Sequence, residues 1–148
     1  MSIYGRIEDD LRDALKSGDK NRVSVLRMIK SAIKNREIEK GEPPTDEDVQ
    51  AVLMSFAKKA NESIEQFSKA GRTDLAEKER AELAVVRQYL PEQLDEDRIR
   101  EIVRETIDET GAAGVKDMGR VMKAVMAKIR GQADGRLVNN IVRKMLEA

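Results

Sequence analysis

Apolar side chains recur at helical spacing along most of this chain, and the clearest run lies between Thr45 and Lys69. Within this stretch, apolar residues follow each other at intervals of three or four, which puts them on one face of a helix. The residues of this stripe are Val49, Val52, Leu53, Phe56, Ala60, Ile64 and Phe67. A strand would instead alternate with a period of two, so the pattern predicts a long amphipathic helix.

Glycines, prolines and capping residues divide the rest of the chain into further helices. Asp19, Thr45, Thr73 and Asp95 are suited to cap helix N-termini, because their side-chain oxygens accept hydrogen bonds from backbone N–H groups there. Only two Phe and two Tyr are present, which leaves little material for strands. The predicted helices span about residues 2–16, 19–40, 45–69, 73–90, 95–110, 116–129 and 134–146. We therefore expect an all-α protein.

Pro91 separates two regions of different character. Before it, two predicted helices exceed 20 residues, so that each is about 30 to 35 Å long. After it the helices are shorter, and five of the nine glycines lie between Gly111 and Gly135. We predict an elongated helical bundle or hairpin domain over residues 1–91 and a small three-helix domain over residues 92–148.

The chain contains no His and no Cys. Their absence excludes Ser-His-Asp and Cys-His nucleophile pairs, disulfides and conventional zinc sites. Any catalysis would have to use Asp, Glu, Lys, Tyr, Ser or Thr. No catalytic residue, metal site or cofactor is predicted.

The N-terminal stretch from Met1 to Leu15 lacks both the apolar centre of a secretory signal and the acid-poor, Arg-rich composition of a transit peptide. No apolar run approaches the roughly 18 residues of a membrane span. On these grounds we predict a cytoplasmic protein without a membrane partner. Oligomeric state is left open by the sequence.

Charge is balanced in total, with 28 Lys and Arg against 28 Asp and Glu, but it is distributed unevenly. Residues 16–36 hold seven basic side chains and one acidic one, whereas residues 92–109 hold three basic and eight acidic ones. Residues 116–144 hold eight basic and two acidic side chains. The chain is therefore locally polarised, and its C-terminal part is basic.

Several of these basic residues share helix faces, because each residue of a helix advances by about 100°. One interpretation is that each row is a solvated helix face. The alternative is a cationic patch on the last two helices that contacts nucleic-acid phosphates. The candidate residues for that patch are Lys116, Arg120, Lys123, Arg130, Arg136 and Arg143. A further basic row in the second helix contains Arg27, Lys30 and Lys34.

Two other patterns admit a structural and a functional interpretation. Met118, Met122 and Met126 lie on an apolar face, which favours a place in the core over an adaptable binding groove. The turn between Arg130 and Arg136 offers a helix N-terminus to an anion, although Asp134 is well placed to cap that helix itself.

Four charged residues interrupt apolar faces. Arg22 and Arg36 do so in the second helix, and Glu79 and Glu82 do so in the fourth. We predict that they form half-buried ion pairs with one another that fix the register of the two helices.

Four segments, in this order along the chain, resemble the YqeY family, and the resemblance covers essentially the full length. The segments are Ala70–Glu79, Tyr89–Leu94, Lys116–Met122 and Gly131–Val138. The C-terminal part is also similar to the tail domain of the GatB subunit of the glutamine-dependent Asp-tRNA/Glu-tRNA amidotransferase. The resemblance implies an all-α fold, a tRNA-binding C-terminal domain and a family label of carbon-nitrogen ligase with glutamine as amido donor.

The residues limit how much of that label transfers. The chain has no Gly/Ser-rich glutaminase segment and no phosphate loop, so the ligase label describes a parent complex. Our leading hypothesis is a non-catalytic tRNA-binding or accessory module. The alternatives are an adaptor for amidotransferase or synthetase subunits, and an amide-transferring enzyme in its own right.

Overall fold

The computed structural model describes residues 2–148, which form seven α-helices, one short 3-10 turn and no strand. The helices are α1 (Ile3–Ser17), α2 (Lys20–Lys40), α3 (Asp46–Lys69), α4 (Thr73–Arg87), α5 (Glu96–Thr110), α6 (Met118–Lys128) and α7 (Gly135–Glu147). The 3-10 turn, Val115–Asp117, leads directly into α6. The prediction of an all-α protein is confirmed.

Capping residues define most helix starts. Asp19 accepts a hydrogen bond from the backbone N–H of Arg22, and Asp95 accepts one from that of Arg98. At the start of α3, Thr45 and Asp48 form a capping box, in which each side chain accepts a hydrogen bond from the other residue's backbone N–H. These caps satisfy N–H groups that have no partner within the helix, and they lie where the sequence predicts them.

Thr73 does not cap α4, contrary to prediction. It is the first residue of the helix, and Arg72 occupies the cap position without a side-chain hydrogen bond to the backbone. Asp74, in the first turn, accepts hydrogen bonds from the Arg72 guanidinium and from the backbone N–H of Leu75, and both lower the pKa of its carboxyl group. A negative charge in the first turn thus replaces the hydroxyl cap.

The chain divides into two compact units, of which the first ends at Leu90 and the second begins at Pro91. In the first unit, α1, α2, the N-terminal half of α3 and the C-terminal end of α4 enclose the core. Its buried residues are Ile7, Leu11, Val25, Leu26, Ile29, Ile33, Val49, Val52, Leu53, Val85, Val86 and Tyr89. The remainder of α3 and α4, joined by a short turn, forms a helical hairpin in which Ile64 and Phe67 are only half-buried.

In the second unit, α5, α6 and α7 contact one another and share a separate core. Its buried residues are Ile99, Ile102, Val103, Val121, Val125, Ile129, Ala133, Val138, Ile141, Val142 and Leu146. Met118, Met122 and Met126 are partly buried and pack against this core, as the core interpretation of these residues predicts. Thr106 is fully buried, and its hydroxyl donates to the carbonyl oxygen of Ile102 at 2.7 Å.

The predicted ion pairs between α2 and α4 are wrong. Arg22 pairs with Asp10 of α1 at 3.5 Å, and Arg36 pairs with Asp48 of α3 at 3.3 Å. Asp10 and Asp48 take these guanidinium groups because α1 and the start of α3 bring their carboxylates to α2. Glu82 stays half-exposed, and burial together with the negative charge of Glu79 raises its pKa.

Candidate nucleic-acid interface

The first cationic row lies on the 3-10 turn and α6. Lys116, Arg120 and Lys123 are exposed, whereas Val121 and Val125 of the same helix are buried. The helical period places the valines on the face that packs in the core and the cations on the opposite face, towards solvent.

Arg120 has a neighbouring acid, Asp117, whose carboxylate lies 3.4 Å from its guanidinium. Asp117 also accepts a hydrogen bond from the backbone N–H of Ala113 at 2.9 Å, which holds it at the start of α6. The Arg120 side chain remains 56% exposed, and a surface pair of this kind contributes roughly 0 to 1 kcal/mol. A phosphate can therefore compete for Arg120 at little cost.

The second cationic row lies on α7. Arg136 and Arg143 are exposed and two helical turns apart, with the exposed Asn140 between them. Val138 and Val142 are buried on the other face of the helix. Seven residues of helix correspond to about 10 Å, so both guanidinium groups can contact one extended polyanion.

The N-terminus of α7 is occupied by the protein's own carboxylate. Asp134 Oδ1 accepts a hydrogen bond from the backbone N–H of Arg136 at 3.2 Å. Of the two interpretations of this turn, the structure therefore favours the cap over an anion site. Arg130 is exposed at the other end of the turn.

The same turn is anchored to the first residues of the second unit. The Gln93 side chain donates to the carbonyl oxygen of Gly131 at 2.7 Å, and the backbone N–H of Leu94 donates to that of Gln132 at 2.8 Å. The Gln132 side chain donates in return to the carbonyl oxygen of Glu92 at 3.2 Å. Gln132 thus has a structural role, and Arg130 and Arg136 flank a fixed turn.

Not every cation of this region is available. Lys128 contacts Glu109 at 2.7 Å and the Thr106 hydroxyl at 3.0 Å, which ties α6 to α5. Lys144, by contrast, is exposed next to Arg143 and was not among the predicted contacts. Its position after Arg143 in the basic C-terminal stretch is the signal that would have included it. The structure thus places one cationic row on each of two helices that contact each other.

Two polar clusters in the first unit were not predicted from the sequence. In one, the Tyr89 hydroxyl donates to Asp10 and accepts a hydrogen bond from Arg22 at 3.1 Å, while Arg22 also donates to the Gln88 side chain at 2.8 Å. Arg6 lies over the Tyr89 ring, 5.4 Å from its centre. Burial and the hydrogen bond to Asp10 raise the pKa of Tyr89 to about 12.

The other cluster surrounds Asp48, which is only 6% exposed. Both of its carboxylate oxygens lie 2.9 Å from the Lys40 ammonium, and it accepts further hydrogen bonds from the backbone N–H of Thr45 and from Arg36. These donors, Lys40 first among them, hold the pKa of Asp48 well below its usual range. Both clusters join helices to one another, which is a structural role.

Residues 2–148 contain neither a candidate metal site nor a helix suited to span a membrane. Within this range, no group of three or more carboxylates is placed to hold a metal ion. No helix of the same range is long and apolar enough to cross a lipid bilayer.

Comparison with known proteins shows which proteins this chain resembles. Residues 4–146 match the model of the Yqey-like protein family. Altered inheritance of mitochondria protein 41, mitochondrial, of Pyrenophora tritici-repentis is 31% identical over 149 residues, which covers 99% of this chain and 82% of that protein. An uncharacterized protein of Schizosaccharomyces pombe is 42% identical over 91 residues, which covers 62% of this chain and 74% of that protein.

A third relative is part of an amidotransferase. It is one of the subunits of the glutamyl-tRNA(Gln) amidotransferase of Thermococcus sibiricus, and it is 53% identical over 49 residues. The match covers 33% of this chain and 8% of that relative. The chain thus resembles a small part of a much longer protein.

The prediction of a cytoplasmic location is wrong. It rested on the composition of the N-terminal stretch, whereas the Pyrenophora relative, which aligns with nearly the whole chain, is named as mitochondrial. The composition of a short segment is weak ground against a likeness of that extent.

The resemblance noted from four short segments is confirmed, because the family match runs from residue 4 to residue 146: the chain belongs to the family of YqeY-like proteins.

Proposed function

We propose that this protein is a tRNA-binding accessory module related to tRNA-dependent amidotransferases, and that it does not complete a reaction alone. The observation that carries the proposal is the pair of exposed cationic rows on α6 and α7. The likeness to part of an amidotransferase named for glutamyl-tRNA(Gln) supports tRNA as the polyanion.

The proposed contacts are with the phosphate backbone. Residues 90–148 contain no aromatic side chain, so stacking on exposed bases has no platform in the second unit. Lysine and arginine rows on helices suit the shape and backbone of a folded RNA. The proposed phosphate contacts are Lys116, Arg120, Lys123, Arg130, Arg136 and Arg143.

The accessory role is supported by the side chains available for chemistry. The chain has no His or Cys, and the two most perturbed acidic groups, Asp48 and Tyr89, are engaged by neighbouring helices. A nucleophile or general base needs an accessible side chain beside a substrate. If the protein were itself an amide-transferring enzyme, it would release glutamate from glutamine in the presence of ATP and mischarged tRNA.

The test is a titration of labelled tRNA with the protein at low and moderate salt, followed by fluorescence anisotropy. We expect binding at low salt that weakens as salt rises, because bound phosphates release counterions. Lys116, Arg120 and Lys123 replaced together by Ala should weaken binding and reduce the slope of log affinity against log salt by about 2 to 3.

The matched control replaces Lys59, Lys69 and Lys78 by Ala, three exposed lysines of the α3–α4 hairpin. It removes the same net charge from the other unit. Equal weakening by both triple variants would indicate a nonspecific charge effect, and absence of binding at low salt would contradict the proposal.

A further inference from the structure

A groove runs along the surface between the end of α1 and the first half of α2. Its volume is about 540 Å³. The lining residues that matter here are Leu15, Lys20, Val23, Arg27 and Met28. A second groove of about 500 Å³ continues along α2 and shares Arg27 with the first.

The groove exposes large apolar side chains that the core of the first unit does not use. Leu15 is 50% exposed and Met28 is 49% exposed, and they stand on the two helices that form the walls. Single exposed apolar residues are common on protein surfaces. Two facing the same groove, one of them a flexible Met, are typical of a binding surface for an apolar partner face.

The charged residues that line the two grooves are all basic: Lys20, Arg27, Lys30 and Lys34. Lys30 pairs with Glu8 at 3.4 Å. Within residues 2–148, Lys20, Arg27 and Lys34 have no carboxylate within ion-pair distance.

No carboxylate of their own helix neutralises these three cations, unlike Lys69 and Arg100, which pair with Glu65 and Glu96 of their own helices. Lys20, Arg27 and Lys34 recur every seven residues, so they form a straight row with a repeat of about 10 Å.

We propose that the two adjoining grooves together bind one acidic amphipathic helix of a partner protein. The apolar face of that helix packs on Leu15, Val23 and Met28. Its carboxylates, spaced two turns apart, contact Lys20, Arg27 and Lys34. Helix-in-groove recognition supplies both parts, with apolar anchors for affinity and complementary charge for orientation.

The exposed apolar side chains of Leu15 and Met28 favour a protein helix over a nucleic acid as the partner. An RNA backbone would neutralise the cations but leave Leu15 and Met28 without an apolar partner. This surface belongs to the first unit and is separate from the proposed tRNA contacts, so failure of one proposal leaves the other intact.

The experiment uses the full chain and a fluorescein-labelled helical peptide as the probe. The peptide carries Leu at positions i, i+3, i+4 and i+7 of each repeat and Glu two turns apart beside them. Two control peptides replace either its Leu by Ser or its Glu by Lys. We expect the parent peptide to bind, and each control to bind at least tenfold more weakly.

Two protein variants test the two halves of the site separately. Leu15→Gln with Met28→Gln should weaken peptide binding more than tenfold while leaving its salt dependence in place. Lys20→Ala, Arg27→Ala and Lys34→Ala together should weaken binding and remove most of the salt dependence. Both sets are exposed, and far-UV circular dichroism checks that each variant is folded.

The triple variant of Lys59, Lys69 and Lys78 serves as the charge-matched control and should bind the peptide like the parent protein. Equal affinity for all three peptides would overturn the proposal. It would also be overturned if Leu15→Gln with Met28→Gln had no effect on peptide binding. The same holds if labelled tRNA displaced the peptide from the parent protein but did not bind the variant that lacks Lys20, Arg27 and Lys34.

Discussion

Asp48 has two roles: it caps its own helix, and it forms ion pairs with a neighbouring helix. Its carboxylate closes the capping box of α3 and also receives Lys40 and Arg36 from α2. The acidic start of α3 is visible in the sequence, since an acid three residues after Thr45 is the pattern of a capping box. The two cations are not visible there, because they reach Asp48 only once α2 lies beside it.

Asp48→Asn should lower the melting temperature at pH 7 by several degrees, because the two cations lose their anion. The folded-state pKa of Asp48 lies below its unfolded value of about 3.9, so its contribution is complete above that value and is lost as pH falls below it. The melting temperature of the parent protein should therefore fall more steeply between about pH 5 and pH 2 than that of the variant.

The control for this prediction is Asp13→Asn, which changes an exposed acid of α1. Its melting temperature should follow that of the parent protein at every pH. Parallel curves for the parent protein and Asp48→Asn would contradict the role assigned to Asp48.

Tyr89 gives the opposite pH dependence. Its pKa is raised to about 12, so the folded state holds the phenolic proton more tightly than the unfolded state, whose pKa is about 10. The stability that this provides is complete below about pH 10 and is lost as pH rises to about 12. Denaturant unfolding of the parent protein in this range should show a decline that is smaller in Tyr89→Phe, which keeps Tyr4, whose pKa burial also raises.

At pH 7, Tyr89→Phe removes a hydroxyl that joins Asp10 and Arg22 without changing the volume of the ring. We expect a loss of about 1 kcal/mol in the free energy of unfolding, since both partners remain partly solvated. Tyr4→Phe, at the other, less buried tyrosine, is the matched control and should retain the high-pH decline.

At the scale of helices, the same substitution should have opposite effects at two glycines of the second unit. Gly111 ends α5 with a φ of 66°, where a Cβ atom is unfavourable, whereas Gly119 lies within the first turn of α6. Apart from adjacent backbone, neither glycine has an atom within 4 Å of where a Cβ would lie, so packing does not decide the result.

Gly111→Ala should therefore destabilise the protein by roughly 1 to 2 kcal/mol. Gly119→Ala should stabilise it by about 0.5 to 1 kcal/mol, because alanine is the better helix former. Chemical denaturation of both variants measures the two free energies. Effects of the same sign would mean that the backbone explanation is wrong.

Helices were largely predictable because their signals are local. The stripe from Val49 to Phe67, the αL glycines and the caps at Asp19 and Asp95 each lie within a few residues of what they determine. The cap at Thr73 was predicted wrongly, because Thr73 is the first residue of α4 and the carboxylate of Asp74 accepts hydrogen bonds in the first turn instead.

In the candidate site too, features that depend on one helix were predictable from the sequence, whereas contacts between helices were not. Exposure of Arg120, Lys123 and Arg143 follows from the helical period and was predictable. The neutralisation of Lys128 by Glu109 was not, because those residues come from different helices. The partners of Arg22 and Arg36 were assigned wrongly for the same reason, since sequence spacing does not tell which helix lies opposite.

At the scale of the whole molecule, the domain boundary stays a prediction, which a fragment can test. Each of the two cores draws its buried residues from its own unit. A fragment of residues 91–148 should therefore fold alone and unfold cooperatively, although at 58 residues it is near the lower limit for a single core. Far-UV circular dichroism during heating measures this, and a gradual, noncooperative loss of helix would contradict it.

The separation of the two cores has a consequence for synthesis on the ribosome. All residues of the first core precede Pro91, so the N-terminal unit leaves the exit tunnel before the second unit during synthesis at roughly 5 to 20 residues per second. Helical domains with mostly local contacts fold in microseconds to milliseconds. The N-terminal unit can thus complete its fold, and present the α1–α2 groove to a partner, before the cationic helices have left the ribosome.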